Sequence, residues 1–158
     1  MMRVGQGYDC HRFIDGDFIM LGGVKVPHTH AVDAHSDGDV ILHAIVDALL
    51  GAAVLGDIGE LFSDEDPAYA NQSSTFFLLE VATQLKALGY ALQNIDVTVI
   101  TERPKLKPFK LVIQENIANL LKIDQSQVSI KAKTNEKLGF VGREEGIAAM
   151  AVVLIEGK

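Results

Sequence analysis

Apolar and polar positions along this chain change period several times, and each change marks an element. Residues 2 to 8 read as a first strand running into Asp9. Phe18-Ile19-Met20-Leu21, then Gly22-Gly23, then Val24-Lys25-Val26-Pro27 reads as a hairpin on a glycine turn. Ile41, Leu42, Ile45, Val46 and Leu49 recur at helical spacing and predict a helix over 39–51. Asp37 or Asp39 stands where a cap belongs. Phe77, Leu78, Val81, Ala82, Leu85 and Leu88 define a second helix, starting near Ser73 or Ser74 and ending before Gly89. Residues 95–100 alternate as a strand. Pro108 opens a third helix lined by Phe109, Ile113, Ile117, Leu120 and Leu121. Val128, Ile130 and Ala132 alternate in another strand, and residues 147–155 are nearly all apolar, which predicts a strand buried on both faces.

The order is hairpin, helix, helix, strand, helix, strand, strand. It predicts an α/β (α+β) domain, a mixed β-sheet with helices packed on one side. With 158 residues, 48% of them hydrophobic, the chain is long enough for one cored domain spanning 1–158. There are no repeats, low-complexity stretches or linkers.

Charge and cysteine narrow the function. The formal net charge of −7 argues against a groove that tracks a nucleic-acid backbone. No apolar run approaches the ~20 residues of a membrane span. The lone Cys10 has no intrachain partner, which suits a reducing compartment. The first residues run straight into a strand pattern, so no signal or transit segment is expected. That fits the bacterial cytoplasm, or a trimmed plastid protein.

Candidate chemistry gathers on Asp9, His11 and His43. Asp9 and His11 are two apart and leave one face of a strand. His43 lies on the 39–51 helix, four residues from Asp47 and on the same face. Two imidazoles and a carboxylate form a zinc-type set, and three ligands leave a coordination position open for chemistry. Hydrogen-bonded surface groups would give the same D-x-H pattern. The acids and histidine nearby (His35, Asp37, Asp39, Asp47, Asp57 and Asp64) strengthen the site reading, since such a density beside apolar segments calls for cations. The acidic, glycine-rich 56–64 segment has the composition of a site loop, and 139–146 is a second glycine-punctuated loop. His28 and His30 read as polar loop histidines. Cys10, on the opposite face from its neighbours, reads as packed rather than ligating.

These residues fall into long motifs. Gly7-Tyr8-Asp9-Cys10-His11, Ala34-His35-Ser36-Asp37-Gly38-Asp39-Val40, and His43 through Ala53 lead into Leu55-Gly56-Asp57-Ile58-Gly59. Lys131 through Phe140 and Gly142-Arg143-Glu144-Glu145-Gly146 close the series. Together they resemble the 2-C-methyl-D-erythritol 2,4-cyclodiphosphate synthase family over essentially the whole chain.

The resemblance implies a homotrimer with active sites between subunits. It implies a substrate, 4-diphosphocytidyl-2-C-methyl-D-erythritol 2-phosphate, cyclised with release of CMP in non-mevalonate isoprenoid biosynthesis. It implies zinc, or another divalent metal, on Asp9, His11 and His43, and a second ion, magnesium or manganese, with Glu136 as its ligand. His35 and Ser36 match residues holding the methylerythritol phosphate, Asp64 its hydroxyls, and Asp57 and Gly59 the ribose. Thr134 matches the contact to the α-phosphate, and His35 and Thr134 are the expected catalytic pair. Thr101, Leu106, Ala132 and Lys133 match a cytosine pocket supplied by a neighbouring subunit, and Lys105 a phosphate-side or cytidine-side contact there. Asp47 matches a helix residue near the metal, expected to orient an imidazole. Phe140 and Arg143 match positions around a threefold cavity that can hold an isoprenoid phosphate. Thr101, Leu106, Lys107, Lys133 and Asn135 depart from common family residues, which bears on cytidine affinity. The bare ligand set alone would also serve a zinc phosphate-ester hydrolase or a binding module.

Overall fold

The computed structural model describes residues 1–157. Strand β1 (Met2–Asp15) is followed by the hairpin β2 (Phe18–Leu21) and β3 (Val24–Pro27) and the short β4 (His30–Val32). Helices α1 (Val40–Ala53), α2 (Ile58–Leu61) and α3 (Ser74–Ala87) come next, then β5 (Tyr90–Ile100), α4 (Lys110–Leu121), β6 (Val128–Lys133), α5 (Gly139–Gly142) and β7 (Gly146–Gly157). Five strands form one sheet in the order β4-β1-β7-β5-β6, and β2-β3 stands apart as a two-stranded ribbon. The β5–β6 pair is parallel and the other pairs of the five-stranded sheet are antiparallel, which is the mixed sheet expected.

Helix α1 is buried on almost every side, packed on β1 and β7. Its one interrupted stripe is His43, Asp47 and Gly51, spaced four apart, so the polar groups share a single face. Asp39 caps it, accepting from Leu42 N at 3.0 Å, and also accepts from Gly22 N and Gly23 N of the β2–β3 turn at 2.9 and 2.7 Å. One carboxylate therefore ties the ribbon to the start of the central helix. Close approach to β1 depends on two glycines. A Cβ on Gly5 would lie 1.8 Å from the Ala48 carbonyl oxygen, and one on Gly7 1.9 Å from that of Ala44.

Several expectations need correction. β1 continues six residues past Asp9, because its second half, where polar and apolar residues do not alternate, is held by backbone pairing with β7 and β4. His30 lies in β4, not in a loop. β5 starts five residues before Ile95, with an irregularity between Leu92 and Asn94. The 56–64 and 139–146 loops each contain a short helix, α2 and α5. β7 is buried on both faces only as far as Ala149; from there it alternates, and Met150 and Val152 are 40% and 43% exposed on the side away from the helices. Cys10 points to that same outer side and is exposed, not packed.

Candidate metal centre and active site

The period of β1 and the turn of α1 bring three ligand atoms together. Asp9 Oδ2 lies 2.9 Å from His11 Nε2 and 3.0 Å from His43 Nδ1, and the two ring nitrogens are 3.3 Å apart. Four-coordinate zinc at about 2.0–2.1 Å from each ligand sets neighbouring ligand atoms roughly 3.3 Å apart. The donor set and its spacing therefore fit a divalent ion with little movement. Among the described residues this is the one group of three or more such side chains that could hold a metal.

The electrostatics suit a cation. Burial pushes the Asp9 carboxyl up, but hydrogen bonds from His11 and His43 and their positive charge outweigh it and hold the group at about 2. Burial pushes His43 down, yet the bond to Asp9 and the charges of Asp9, Asp39 and Asp37 carry it above the ordinary imidazole value. The Asp47 carboxyl is raised, first by burial and then by Asp57 and Asp9, against a lowering bond from Ile58 N.

The ligands open into a cavity of about 430 Å³. Four of the expected substrate residues line it: His35, Ser36, Gly59 and Asp64. Phe62, Tyr69 and Phe77 add an aromatic wall that the sequence reading did not include, with Phe62 and Phe77 4.8 Å apart. Asp57 does not line the cavity; it caps α2 just before the lining residues Ile58 and Gly59, accepting from Glu60 N at 2.9 Å. Asp47 accepts from Ile58 N at 2.8 Å, and the structure gives it no hydrogen bond to an imidazole. That role needs correction, because the groups at His43 Nε2 are Ser74 Oγ at 2.8 Å and Ser36 Oγ at 3.2 Å. Sequence reasoning missed Ser74. A serine ahead of an apolar helix already has an explanation as a cap, and here Ser73 is the cap.

The remaining candidates do not line the cavity. Thr101, Lys105, Leu106, Ala132, Lys133, Thr134, Glu136, Phe140 and Arg143 lie toward the β6 side and its following turn. Asn135 N and Lys137 N both donate to Glu102 Oε1, at 3.1 and 3.0 Å, so the turn holding Glu136 is pinned to the 101–107 loop. Thr101 is buried and its hydroxyl donates to Arg103 O at 2.5 Å. The Leu106 side chain is part of the core, which leaves only its backbone for a ligand. Arg143 Nε donates to Glu145 Oε1 at 2.7 Å, and Phe140 is exposed. The strand register fixes the offset: Asp9 pairs with Ala149, Ala149 with Val99, and Val99 with Ala132. Three strand steps of about 4.8 Å put Ala132 roughly 14 Å across the sheet from Asp9.

A five-stranded mixed sheet, helices on one face, and an Asp-His-His group in an open cavity are the marks of one protein class, and the chain belongs to it: the pattern of the YgbB family matches residues 2–156. A relative from Alcanivorax borkumensis, named 2-C-methyl-D-erythritol 2,4-cyclodiphosphate synthase, is 54% identical over 157 residues, covering 99% of this chain and 98% of its own. Among solved structures, a CDP complex of IspF from Plasmodium falciparum superposes with a TM-score of 0.88 at 39% identity, covering 99% of this chain and 97% of that one. The bifunctional IspDF of Campylobacter jejuni gives a TM-score of 0.95 at 42% identity. All of this chain is covered there, but it spans only 43% of that longer protein.

Proposed function

We propose that this chain converts 4-diphosphocytidyl-2-C-methyl-D-erythritol 2-phosphate to 2-C-methyl-D-erythritol 2,4-cyclodiphosphate and CMP. The observation that carries the reading is the Asp9-His11-His43 group opening into a cavity walled by His35, Ser36, Gly59 and Asp64. A 2-phosphate oxygen bonds to the β-phosphorus, the bond from that phosphorus to the bridging oxygen breaks, and the α-phosphate departs as CMP. The nucleophile is already an anion, so the protein needs no strong base. Its task is to fold the substrate back on itself and to offset charge on the transferring group.

Zinc held by Asp9, His11 and His43, with magnesium or manganese held by the diphosphate and Glu136, would supply Lewis-acid stabilisation there. His35 and Ser36 hold the methylerythritol phosphate in line. Asp64 takes the methylerythritol hydroxyls, Asp57 and the Gly59 backbone the ribose, and Thr134 the α-phosphate. Thr101, Lys105, the Leu106 backbone, Ala132 and Lys133 read cytosine. The roughly 14 Å offset across the sheet supports supply of that second half by a neighbouring copy.

The neighbour's seat is the outer sheet face. Val4, Tyr8, Met150 and Val152 form an exposed apolar group there, as expected of a protein–protein surface. A homotrimer closes that face three times over and brings Phe140 and Arg143 of each copy toward a central cavity for an isoprenoid phosphate. Arg143 would exchange Glu145 for that phosphate. No helix among the described residues is long and apolar enough to cross a membrane, in keeping with a cytoplasmic enzyme.

Phosphorus NMR tests the reaction. Purified protein with substrate, zinc and magnesium should yield equimolar CMP and cyclic diphosphate, both lost on adding a chelator. CMP with a linear diphosphate would mean hydrolysis and overturn the reading. His43→Ala should abolish zinc binding and turnover; undiminished turnover would count equally against it.

A further inference from the structure

Ser74 is the first residue of α3, fully buried, and the proposed reaction gives it no task. Its hydroxyl touches two groups, the Asp37 Oδ1 carboxylate oxygen and His43 Nε2, the latter at 2.8 Å. Its backbone N–H also donates to Asp37, reaching Oδ2 at 3.2 Å. A carboxylate only accepts, and a hydroxyl has one proton. The Ser74 proton therefore goes to Asp37. Only lone pairs remain toward His43, and they can be satisfied only by an Nε2–H.

That constraint has a chemical consequence at the far side of the ring. A neutral imidazole protonated on Nε2 presents a bare Nδ1. Nδ1 is the atom that faces Asp9 Oδ2 at 3.0 Å and His11 Nε2 at 3.3 Å. Ser36 Oγ, 3.2 Å from the same Nε2, imposes no direction, because its proton is uncommitted and it can donate or accept. We infer that the Asp37–Ser74 pair is a positioning device, fixing the tautomer and orientation in which His43 ligates a metal through Nδ1. A metal-bound histidine held by its other nitrogen is a better and more directed ligand.

The inference rests on the metal-dependent reading above, and the experiment separates the two. Zinc affinity is measured by competition with a chromophoric chelator, on wild type first. Wild type that binds no zinc overturns both readings. With wild type bound, Ser74→Ala should weaken zinc roughly 10- to 100-fold. Asp37→Ala should weaken it by a similar factor with Ser74 still present, because the freed hydroxyl can then donate to Nε2. The double variant should lose little beyond either single one, as expected of residues acting in one chain. Ser74→Ala that keeps wild-type affinity within about twofold, or losses that simply multiply, would overturn the device.

A measurement on unmutated protein guards against variants that fold poorly. Nitrogen-15 NMR of the zinc-loaded protein should show the His43 Nε2 protonated, with its proton protected from solvent exchange. Nδ1 protonated and Nε2 on the metal would refute the inference whatever the variants do.

Discussion

Asp39 is entirely shielded from solvent and accepts three backbone N–H groups, two from the β2–β3 turn and one from α1. Asp39→Ala removes a helix cap and strands the glycine donors, which should cost about 3 kcal/mol in urea unfolding. Asp39→Asn keeps one acceptor oxygen and should cost less. Asp9 and His43 give the metal-free protein a pH signature. The Asp9 carboxyl, held at about 2, lies below its unfolded value near 3.9. Its contribution to stability is complete above about pH 4 and is lost as pH falls toward 2. His43 is shifted the other way, so its contribution is complete below about pH 6.5 and is lost as pH rises through its folded value. Unfolding free energy of the zinc-free protein should therefore decline on both limbs, and Asp9→Asn should flatten both; an unchanged profile in that variant would contradict the assignment. Asp9 and His11 were legible as a pair because a strand has a period of two. Ser74 was not, since its partners Asp37 and His43 are 37 and 31 residues away and only the folded α3 brings them together.

Helix α1 and strand β1 meet backbone to backbone at Gly5 and Gly7, and this contact sets the distance between His43 and the Asp9-His11 pair. Gly7→Ala would drive a methyl group to 1.9 Å from the Ala44 carbonyl oxygen, one residue from His43. The helix must move away, so destabilisation of about 3 kcal/mol or more is expected, with a parallel loss of zinc affinity. A variant that binds zinc normally would show that α1 does not set the site. The three long helices were readable because each carries an apolar set at helical spacing. β4 was not: three half-buried residues carry no period, and their place is fixed by register with Phe13–Asp15. The second half of β1 was hidden for a related reason: Cys10 to Asp15 mix polar and apolar residues without alternation, in a strand that backbone pairing sustains.

The whole molecule shows why β7 read as buried on both faces. Its outer residues are apolar, as for a covered strand, but among the described residues nothing covers Met150 and Val152. In the proposed trimer other copies do, and the reading then describes the assembly rather than the chain. Met150→Glu or Val152→Glu should give single chains in sedimentation velocity, with turnover lost and the Asp9-His11-His43 group still binding zinc. An intact trimer from both variants would place the interface elsewhere. The offset between Asp9 and Ala132 also has a genetic consequence. Consider one allele broken at His43 and another in the 101–107 loop, each inactive alone. In a cell carrying both, every mixed ring of three has one boundary where an intact half meets an intact half. Two dead alleles would then restore growth together, though neither can do so alone.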